Sequence, residues 1–414
     1  MRKRVLQLGL GMQGKACLYD LVRSDVFDEI TVLDSLPKAL TFIEKLGSSK
    51  VRPIIADAAD TSRIAELMTN ADVVIDLLPQ AFTFEVAKIA VEKGVNHVTA
   101  SYLINVNEPD PVKRQERLEE LEKLNNMAKE KGIFILSEFG MDPGIDLILS
   151  KKAIDELDEV LVFFSYGAGF PDKDSGNNAI KYKFTWSISG VMGSYLRPAR
   201  IMLEGRVVDI KAEEMFAQEN MHILTLPELG MPLECFANGD SLHYTKLMGI
   251  ENSVRSIGRF ICRWPGHGAF WYVMAKAGLL SNEPLDVKGV RISPKEFLAT
   301  FFASKEEYKY RENERDVALI RIDAKGHKNG EKRKIVYQLI DKRDLETGFT
   351  AMQRTVGFTI SIGVQMIANG ILSSPGILYP MDVPFDYFMK ELEKRGMKIS
   401  YTEEQWSGGM YPWN

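Results

Sequence analysis

The 414-residue chain has few cysteines, no excess of basic residues and no long apolar stretch. Its three cysteines, Cys17, Cys235 and Cys262, are odd in number and far apart, which argues against a disulfide framework and a zinc site. We therefore expect idle or buried thiols in a reducing cytoplasm, and no bound metal. The formal net charge of −5 gives no electrostatic footprint for nucleic acid. No apolar run approaches the roughly 18–20 residues that span a bilayer, so we expect no membrane partner either.

The most informative stretch lies at the start of the chain, where an apolar run leads into Gly9-Leu10-Gly11-Met12-Gln13-Gly14. A strand, a Gly-x-Gly-x-x-Gly turn and an amphipathic segment are together typical of a dinucleotide site. The first glycine permits the turn, the second lets the backbone approach a pyrophosphate, and the third lets the helix pack closely on the strand. The phosphates would lie at the positive end of the helix dipole. We predict cofactor contacts from Gly9, Gly11, Met12, Gln13 and Gly14; the alternative is a glycine-rich turn in another doubly wound protein.

Carboxylates at the ends of the next two predicted strands bear on the choice of cofactor. Asp34 ends the second strand, 20 residues beyond Gly14. A carboxylate there can bond to the adenosine ribose of NAD and would repel the extra phosphate of NADP, so the sequence predicts NAD rather than NADP. Ser35 follows at the same strand end and joins the predicted cofactor site. Asp57 ends the third strand, where it could face the adenine or cap the next helix.

Strands and helices alternate as far as a sixth predicted strand, which indicates an α/β fold with a Rossmann-type, doubly wound parallel sheet. Ligands of such sheets bind beyond the carboxyl ends of the strands. We therefore predict cofactor contacts from Leu78 and Pro79 at the end of the fourth strand, Ser101 near the end of the fifth and Met141 beyond the sixth. His97, at the start of the fifth strand, is predicted to be a structural or surface histidine rather than a catalyst.

The pattern changes beyond about residue 149. Strands of alternating sidedness and loops rich in Gly, Asp and Asn predict a second, α+β domain over 150–350. It includes an antiparallel hairpin around Gly326 to Gly330. The first domain, 1–149, carries the predicted dinucleotide site.

Short motifs along nearly the whole chain resemble the saccharopine dehydrogenase (saccharopine reductase) family, which includes lysine 6-dehydrogenases. The clearest is Phe139-Gly140-Met141-Asp142-Pro143-Gly144-Ile145-Asp146, and others are Tyr182-Lys183-Phe184-Thr185-Trp186-Ser187 and Met352-Gln353-Arg354-Thr355-Val356-Gly357. The resemblance implies a bilobal enzyme in which helices of 351–414 return to the Rossmann domain. It also implies that 150–350 binds substrate and supports a homodimer.

The activity that the resemblance implies is reversible hydride transfer, through an imine, at the C–N bond of an amino-acid or opine-type substrate. In saccharopine formation, glutamate condenses with an aminoadipate semialdehyde, and the nicotinamide cofactor reduces the resulting imine. Lysine 6-dehydrogenase or a related imine reductase is an alternative activity. A non-catalytic NAD-binding regulatory protein is an alternative class.

Such chemistry needs an acid or base beside the substrate nitrogen. Asp142 is the first candidate, because the Gly-Met-Asp-Pro-Gly turn places it at the carboxyl edge of the sheet. The alternative role for Asp142 is a helix N-cap before Pro143. Tyr102, at a strand end, is the second candidate and could instead only pack.

Amino-acid carboxylates are suited to binding by arginine side chains. Arg259 matches an arginine of the family and is preferred to Arg263, although either could form a structural ion pair. Asn238, Ser241 and Thr355 are further candidate substrate ligands. Ser165-Tyr166-Gly167-Ala168-Gly169-Phe170-Pro171 departs from the fungal pattern Ser-Tyr-Cys-Gly-Gly-Leu-Pro by lacking its cysteine. The departure removes a possible substrate ligand and leaves the cofactor prediction intact.

Overall fold

The computed structural model describes residues 3–105 and 110–412. Within these ranges the strands, numbered in chain order, are β1 (Arg4–Leu8), β2 (Glu29–Asp34), β3 (Val51–Ile55), β4 (Val73–Asp76), β5 (Asn96–Thr99), β6 (Phe134–Leu136), β7 (Glu159–Pro171), β8 (Ala199–Leu203), β9 (Arg206–Ile210), β10 (Met221–Leu224), β11 (Leu233–Ala237), β12 (Ser256–Arg263), β13 (Leu285–Val287), β14 (Val290–Ile292), β15 (Asp316–Lys328), β16 (Glu331–Lys342), β17 (Gly376–Leu378) and β18 (Ile399–Gln405).

The helices of the same ranges are α1 (Met12–Arg23), α2 (Lys38–Leu46), α3 (Thr61–Met68), α4 (Thr83–Lys93), α5 (Pro111–Lys131), α6 (Ile145–Asp155), α7 (Ile188–Ser194), α8 (His243–Leu247), α9 (His267–Lys276), α10 (Pro294–Ser304), α11 (Ala351–Ala368) and α12 (Phe385–Lys394). Short 3-10 turns lie at Gln80–Phe82, Ala212–Glu214, Gln218–Asn220, Pro227–Leu229, Glu306–Tyr308 and Pro380–Asp382. The chain divides into two compact units, Met1–Ile148 with Gln353–Met397, and Leu149–Met352 with Lys398–Asn414.

The first unit contains a parallel sheet in the order β17-β6-β5-β4-β1-β2-β3. The order reverses between β1 and β4, which is the switch point at which doubly wound sheets bind ligands. Strand β4 is wholly buried, as a central parallel strand covered on both faces must be. Leu6, Leu8 and Val74 pack on one face with Ile64 of α3 and Val86 of α4. The predicted Rossmann-type sheet is confirmed.

The second unit is built on a mixed sheet in the order β10-β11-β12-β7-β15-β16-β18, with β8 and β9 branching from β12. Strands β7 and β12 pair in parallel, whereas β15 pairs antiparallel with both β7 and β16. The β15–β16 hairpin turns at Asn329-Gly330, a dipeptide suited to tight hairpin turns. Together with α7 to α10, this sheet forms the α+β architecture that the sequence predicts.

The end of the chain differs from the expected arrangement. The resemblance implies that all of 351–414 returns to the first domain, but β18 pairs antiparallel with β16, and 398–414 belong to the second unit. The physical reason is that β15 pairs with only one edge of β16, and the backbone of β18 supplies hydrogen-bonding partners along the other edge. Within 3–105 and 110–412, the helices are too short or too polar for any of them to cross a membrane.

Candidate functional site

The glycine turn lies directly beyond the carboxyl end of β1. Gly9 has a φ of 92° and donates its N–H to the Leu33 carbonyl at 2.8 Å. A Cβ at Gly9 would lie 2.8 Å from the Leu77 carbonyl oxygen, and one at Gly14 would collide with the Gly9 carbonyl oxygen. Larger residues would therefore force the turn away from the sheet.

Two glutamines that the sequence analysis did not assign to this role hold the turn in place. The buried Gln7 on β1 donates through Nε2 to the carbonyls of Gly9 and Gly14, both at 2.9 Å. Gln353 on α11 donates through Nε2 to the Met12 carbonyl at 2.8 Å. Neither glutamine could be found from the glycine motif, because the motif carries no information on which side chains lie beneath it.

The N-terminus of α1 is open toward solvent. Gly11 occupies its N-cap position without a side-chain cap, and a Cβ built on Gly11 would meet no atom within 4 Å. Gly11 and Met12 are exposed, and Gln13 is partly buried. An uncapped helix N-terminus with free space above it suits a phosphate group. The turn therefore fits the pyrophosphate of a dinucleotide.

The aspartates at the ends of β2 and β3 are engaged with backbone groups. Asp34 accepts the N–H of Leu10 at 2.7 Å and that of Leu36 at 2.8 Å, one through each carboxylate oxygen. The exposed Asp57 accepts the N–H of Ala59 at 2.9 Å. It does not cap the next helix, because Asp60 does so by accepting the Arg63 N–H. Ser35 is exposed at the end of β2.

The remaining cofactor candidates follow the carboxyl ends of β4, β5 and β6. Leu78 is partly buried and Pro79 is exposed. The backbone carbonyl of Ser101 accepts the Glu138 N–H at 3.3 Å, which joins the segment after β5 to the segment after β6. Met141 is buried in the turn that follows β6. These positions share one edge of the sheet, as the parallel strands require.

Both catalytic candidates lie at this edge. Tyr102 and Asp142 are each partly exposed. Helix α6 begins at Ile145, three residues after Asp142, so Asp142 is not the N-cap considered in the sequence analysis. Instead, Asp146 ties the turn by accepting the Gly144 N–H at 2.8 Å.

Glu138 and Tyr379 are further polar groups at this edge that the sequence analysis did not select. Glu138 is buried and has a φ of 59°, a conformation that non-glycine residues seldom adopt. Burial, with the charges of Glu138 and Asp382, raises the pKa of Tyr379 to about 12. Strained residues of this kind often cluster at functional sites. The sequence carries no signal for them, because a left-handed glutamate is visible only in the backbone.

The second unit brings three substrate-ligand candidates together. Asn238 donates its N–H to the Arg259 carbonyl at 2.8 Å, and Arg259 donates its N–H to the Ser241 Oγ at 2.9 Å. The Arg259 guanidinium lies 4.3 Å from the ring centroid of Tyr244. The fourth candidate, Thr355, lies on α11 in the first unit and is buried. Ser241 is also buried, and its hydroxyl is engaged with Arg259.

Arg263, the alternative arginine, is sealed in the core. Its Nε donates to the Tyr195 hydroxyl at 3.2 Å and its Nη1 to the Cys262 carbonyl at 2.8 Å. Tyr182 covers the guanidinium at 5.0 Å. These contacts give Arg263 a structural role, with no ion pair required. Among the residues described, no group of three or more His, Cys, Asp and Glu side chains is placed to hold a metal ion.

The parallel sheet, the glycine turn and the open helix N-terminus define a dinucleotide-binding α/β protein joined to a mixed-sheet domain. More narrowly, the chain belongs to the saccharopine dehydrogenase family. The model of the saccharopine dehydrogenase NADP binding domain matches residues 5–136, and the model of the saccharopine dehydrogenase C-terminal domain matches residues 140–397. The family resemblance in the sequence is thereby confirmed, and with it the expectation of an oxidoreductase family.

Individual relatives agree with this assignment. The chain is 31% identical over 288 residues to the mitochondrial alpha-aminoadipic semialdehyde synthase of Bos taurus, covering 68% of this chain and 29% of that protein. It is 24% identical to the NADP(+), L-glutamate-forming saccharopine dehydrogenase of Saccharomyces cerevisiae, covering 95% of this chain and 98% of that one. The chain spans less than half the length of the semialdehyde synthases that it matches.

The fold also matches a solved structure. The apo saccharopine dehydrogenase (L-Glu forming) of Saccharomyces cerevisiae superposes with a TM-score of 0.81 at 24% identity, covering 97% of this chain and all of that one. At this level of identity the match concerns the fold.

The prediction of NAD was wrong. The matching family model is an NADP-binding domain, and fungal relatives are named for NADP(+). In the structure both carboxylate oxygens of Asp34 accept backbone N–H groups, so the carboxylate already has partners within the protein. Asp34 ends β2 and ties the glycine turn through the Leu10 N–H, and its spacing from Gly14 does not mark a preference for NAD.

Proposed function

We propose that this chain is an NADP-dependent oxidoreductase that acts on the C–N bond of an amino acid or of an opine-type adduct. The observation that carries the proposal is the glycine turn. It places an uncapped helix N-terminus, with open space at Gly11, at the switch point of a parallel sheet. Membership of the saccharopine dehydrogenase family supports the reaction class.

The residues of the turn would hold the cofactor. The backbone of Gly9, Gly11 and Gly14, with Met12 and Gln13, would bind the pyrophosphate. Ser35 is proposed to contact the phosphate that distinguishes NADP, because it is exposed immediately beyond the engaged Asp34. The carboxyl-edge residues would line the remainder of the cofactor: Asp57, Leu78, Pro79, Ser101 and Met141.

The bound cofactor would supply or accept a hydride. We propose that Asp142 moves the proton at the substrate nitrogen and that Tyr102 orients that nitrogen, since both are accessible at the carboxyl edge. Arg259 is proposed to bind a substrate carboxylate, with Asn238, Ser241 and Thr355 as further substrate ligands. The hydrogen bonds that join Asn238, Arg259 and Ser241 support a common role for these three.

Cofactor binding is the first test. The purified chain is titrated with NADPH and NADH while the fluorescence of the reduced nicotinamide is followed. We expect tighter binding of NADPH, and Gly14→Ala should abolish it because the new methyl group meets the Gly9 carbonyl. Equal or tighter binding of NADH would overturn the cofactor proposal.

Turnover is the second test. Saccharopine and lysine are supplied with NADP⁺, and glutamate plus an aldehyde is supplied with NADPH, while nicotinamide absorbance is followed. Asp142→Asn should lower kcat without changing the NADPH Kd, whereas Asp286→Asn, on the β13–β14 hairpin, should change neither. Absence of turnover with every substrate would overturn the proposed reaction.

We further propose that the chain acts as a homodimer in the cytoplasm. The family resemblance supports the dimer, and the small, odd number of cysteines, all of them buried, supports a reducing compartment. Light scattering of the purified chain tests the dimer, and a monomeric mass at micromolar concentration would overturn it.

A further inference from the structure

Asp76, at the carboxyl end of β4, is an unusual residue in the core of the first unit. Like Asp34 and Asp57, it accepts the N–H of the residue two positions on; the oxygen–nitrogen distance to Leu78 is 3.0 Å. Unlike those two, Asp76 is fully buried. A buried carboxylate is costly unless another group compensates it. Its second oxygen, Oδ2, has no hydrogen-bond partner in the part of the chain that the structure describes.

His97 on β5 is the group that faces this oxygen. Its Nε2 lies 3.7 Å from the Asp76 Oδ2, and the imidazole is completely buried. Within the described residues neither ring nitrogen forms a hydrogen bond. The strand register pairs His97 with Val74 and Asp76 with Thr99, so both side chains lie on the same face of the sheet. A displacement of about 0.5–1 Å would bring Nε2 and Oδ2 within hydrogen-bond distance.

The chain that follows Asp76 is held between this pair and the glycine turn. Leu77 donates its N–H to the Leu8 carbonyl at 3.0 Å, and Leu78 donates to Asp76. On the other side, the Leu77 carbonyl oxygen would lie 2.8 Å from a Cβ at Gly9. The position of residues 77–79 and the shape of the glycine turn therefore depend on each other.

We propose that His97 is a positioning residue for the cofactor. Its imidazole holds the Asp76 carboxylate, the carboxylate holds the Leu78 N–H, and residues 77–79 are thereby fixed against Gly9. The inference rests on the proposed function, in which Leu78, Pro79 and Gly9 contact NADPH. It adds a residue that touches neither cofactor nor substrate and acts through Asp76 alone.

The test compares three variants with the wild-type chain. His97→Phe fills the same space without a donor, His97→Gln retains an N–H donor, and Asp76→Asn retains an acceptor for Leu78 but removes the charge. Amide hydrogen exchange of the peptide covering 77–82 is measured without cofactor, and the NADPH Kd is measured by fluorescence. For His97→Phe we expect exchange and Kd both to rise about tenfold or more, with kcat within about threefold.

The conservative and double variants separate positioning from general stability. His97→Gln should recover most of the wild-type exchange and Kd. His97→Phe with Asp76→Asn should be no worse than the more affected single variant, because both changes break one interaction. The matched control is the exposed pair of His327 and Glu159, with Nδ1 and Oε2 2.8 Å apart; His327→Phe should alter neither measurement.

Two results would overturn the inference. One is a His97→Phe variant that melts at a lower temperature but keeps wild-type exchange over 77–82 and a wild-type NADPH Kd. The other is additive effects in the double variant. If wild-type chain binds no NADPH, the proposed function fails, while the exchange measurement still decides whether His97 fixes the segment.

Discussion

Two completely buried histidines, one in each unit, have opposite surroundings. In the second unit, the His267 Nδ1 donates to the Ile180 carbonyl at 2.8 Å and its Nε2 accepts the Tyr195 hydroxyl at 2.8 Å. In the first unit, both ring nitrogens of His97 lack hydrogen bonds among the described residues, and a carboxylate lies 3.7 Å away. A fully bonded histidine has no capacity left for another role, whereas the ring nitrogens of His97 have the capacity that holding Asp76 requires.

The electrostatics of His267 agree with a sealed structural role. Burial and the positive charge of Arg263 lower the pKa of His267 well below its usual value. The neutral ring accepts a hydrogen bond from the Tyr195 hydroxyl, and the Tyr195 oxygen in turn accepts one from the Arg263 Nε–H. In this series of hydrogen bonds, from Arg263 through Tyr195 and His267 to the Ile180 carbonyl, every donor therefore meets an acceptor. We infer that this series of hydrogen bonds stabilises the fold of the second unit.

The largest effect is expected from Tyr195→Phe, which breaks this buried series of hydrogen bonds at its centre. Removing one hydroxyl leaves the Arg263 Nε and the His267 Nε2 without their partners. The free energy of unfolding should fall by about 2–4 kcal/mol, because buried groups that lose their partners keep their desolvation cost. Urea denaturation measures the loss. Tyr401→Phe, at a half-exposed tyrosine of β18, is the control and should cost under about 1 kcal/mol.

A fall of under about 0.5 kcal/mol in the free energy of unfolding of Tyr195→Phe would contradict the inference that these hydrogen bonds stabilise the second unit. It would also weaken the comparison with His97, because the hydrogen bonds of His267 would then make no measurable difference to stability.

Asp316 in the second unit provides the same comparison for a carboxylate. It is buried like Asp76, but its oxygens accept the N–H groups of Ala351 at 2.7 Å and Met352 at 3.1 Å. Burial is the main cause that raises its pKa, to about 6, and the backbone hydrogen bonds oppose that rise. Protonation is therefore easier in the folded state than in the unfolded state. The stabilising contribution is complete below the unfolded pKa and is lost as pH rises through about 6.

Asp316→Asn serves as the reference for this pH dependence. As pH falls from 7.5 to about 4, the wild-type free energy of unfolding should rise relative to the variant by up to about 3 kcal/mol. Parallel urea titrations at several pH values measure the difference. A constant difference between the two proteins across this range would show that Asp316 does not titrate on folding.

The sequence revealed the first unit more fully than the second, for a physical reason. The glycine turn, the parallel sheet and the strand ends are local patterns, and each role predicted for this unit lies within a few residues of its motif. Even there, the direction of the Asp34 carboxylate was beyond the pattern, because spacing does not say which N–H groups lie nearby. That single ambiguity led to the wrong cofactor.

In the second unit the important contacts join distant parts of the chain. Tyr195, directly after α7, meets His267 at the start of α9 and Arg263 at the end of β12, which are 72 and 68 residues away in the sequence. Cys235 and Cys262, 27 residues apart in the sequence, are opposite each other on β11 and β12, with their sulfurs 2.9 Å apart. Strand register fixes such neighbours, and register depends on the whole sheet.

Gln7→Leu, in the first unit, should produce an effect of intermediate size. The change removes both hydrogen bonds that hold the Gly9 and Gly14 carbonyls. We expect the NADPH Kd to rise about tenfold, which corresponds to about 1.4 kcal/mol. Fluorescence titration measures the Kd, with Gln115→Leu on the exposed face of α5 as the control. An unchanged Kd in Gln7→Leu would show that the turn keeps its shape without this support.

The smallest effect is expected at the surface, where Glu159 and His327 form the same chemical pair as Asp76 and His97. Both side chains are substantially exposed, at 47% and 34%. A double-mutant cycle with Glu159→Gln and His327→Phe should give a coupling of about 0.2–1 kcal/mol in urea denaturation, and 0.5 M salt should reduce it. Burial, rather than the pairing of a carboxylate with an imidazole, is then the property that distinguishes Asp76 and His97. A surface coupling well above about 1 kcal/mol would remove that distinction.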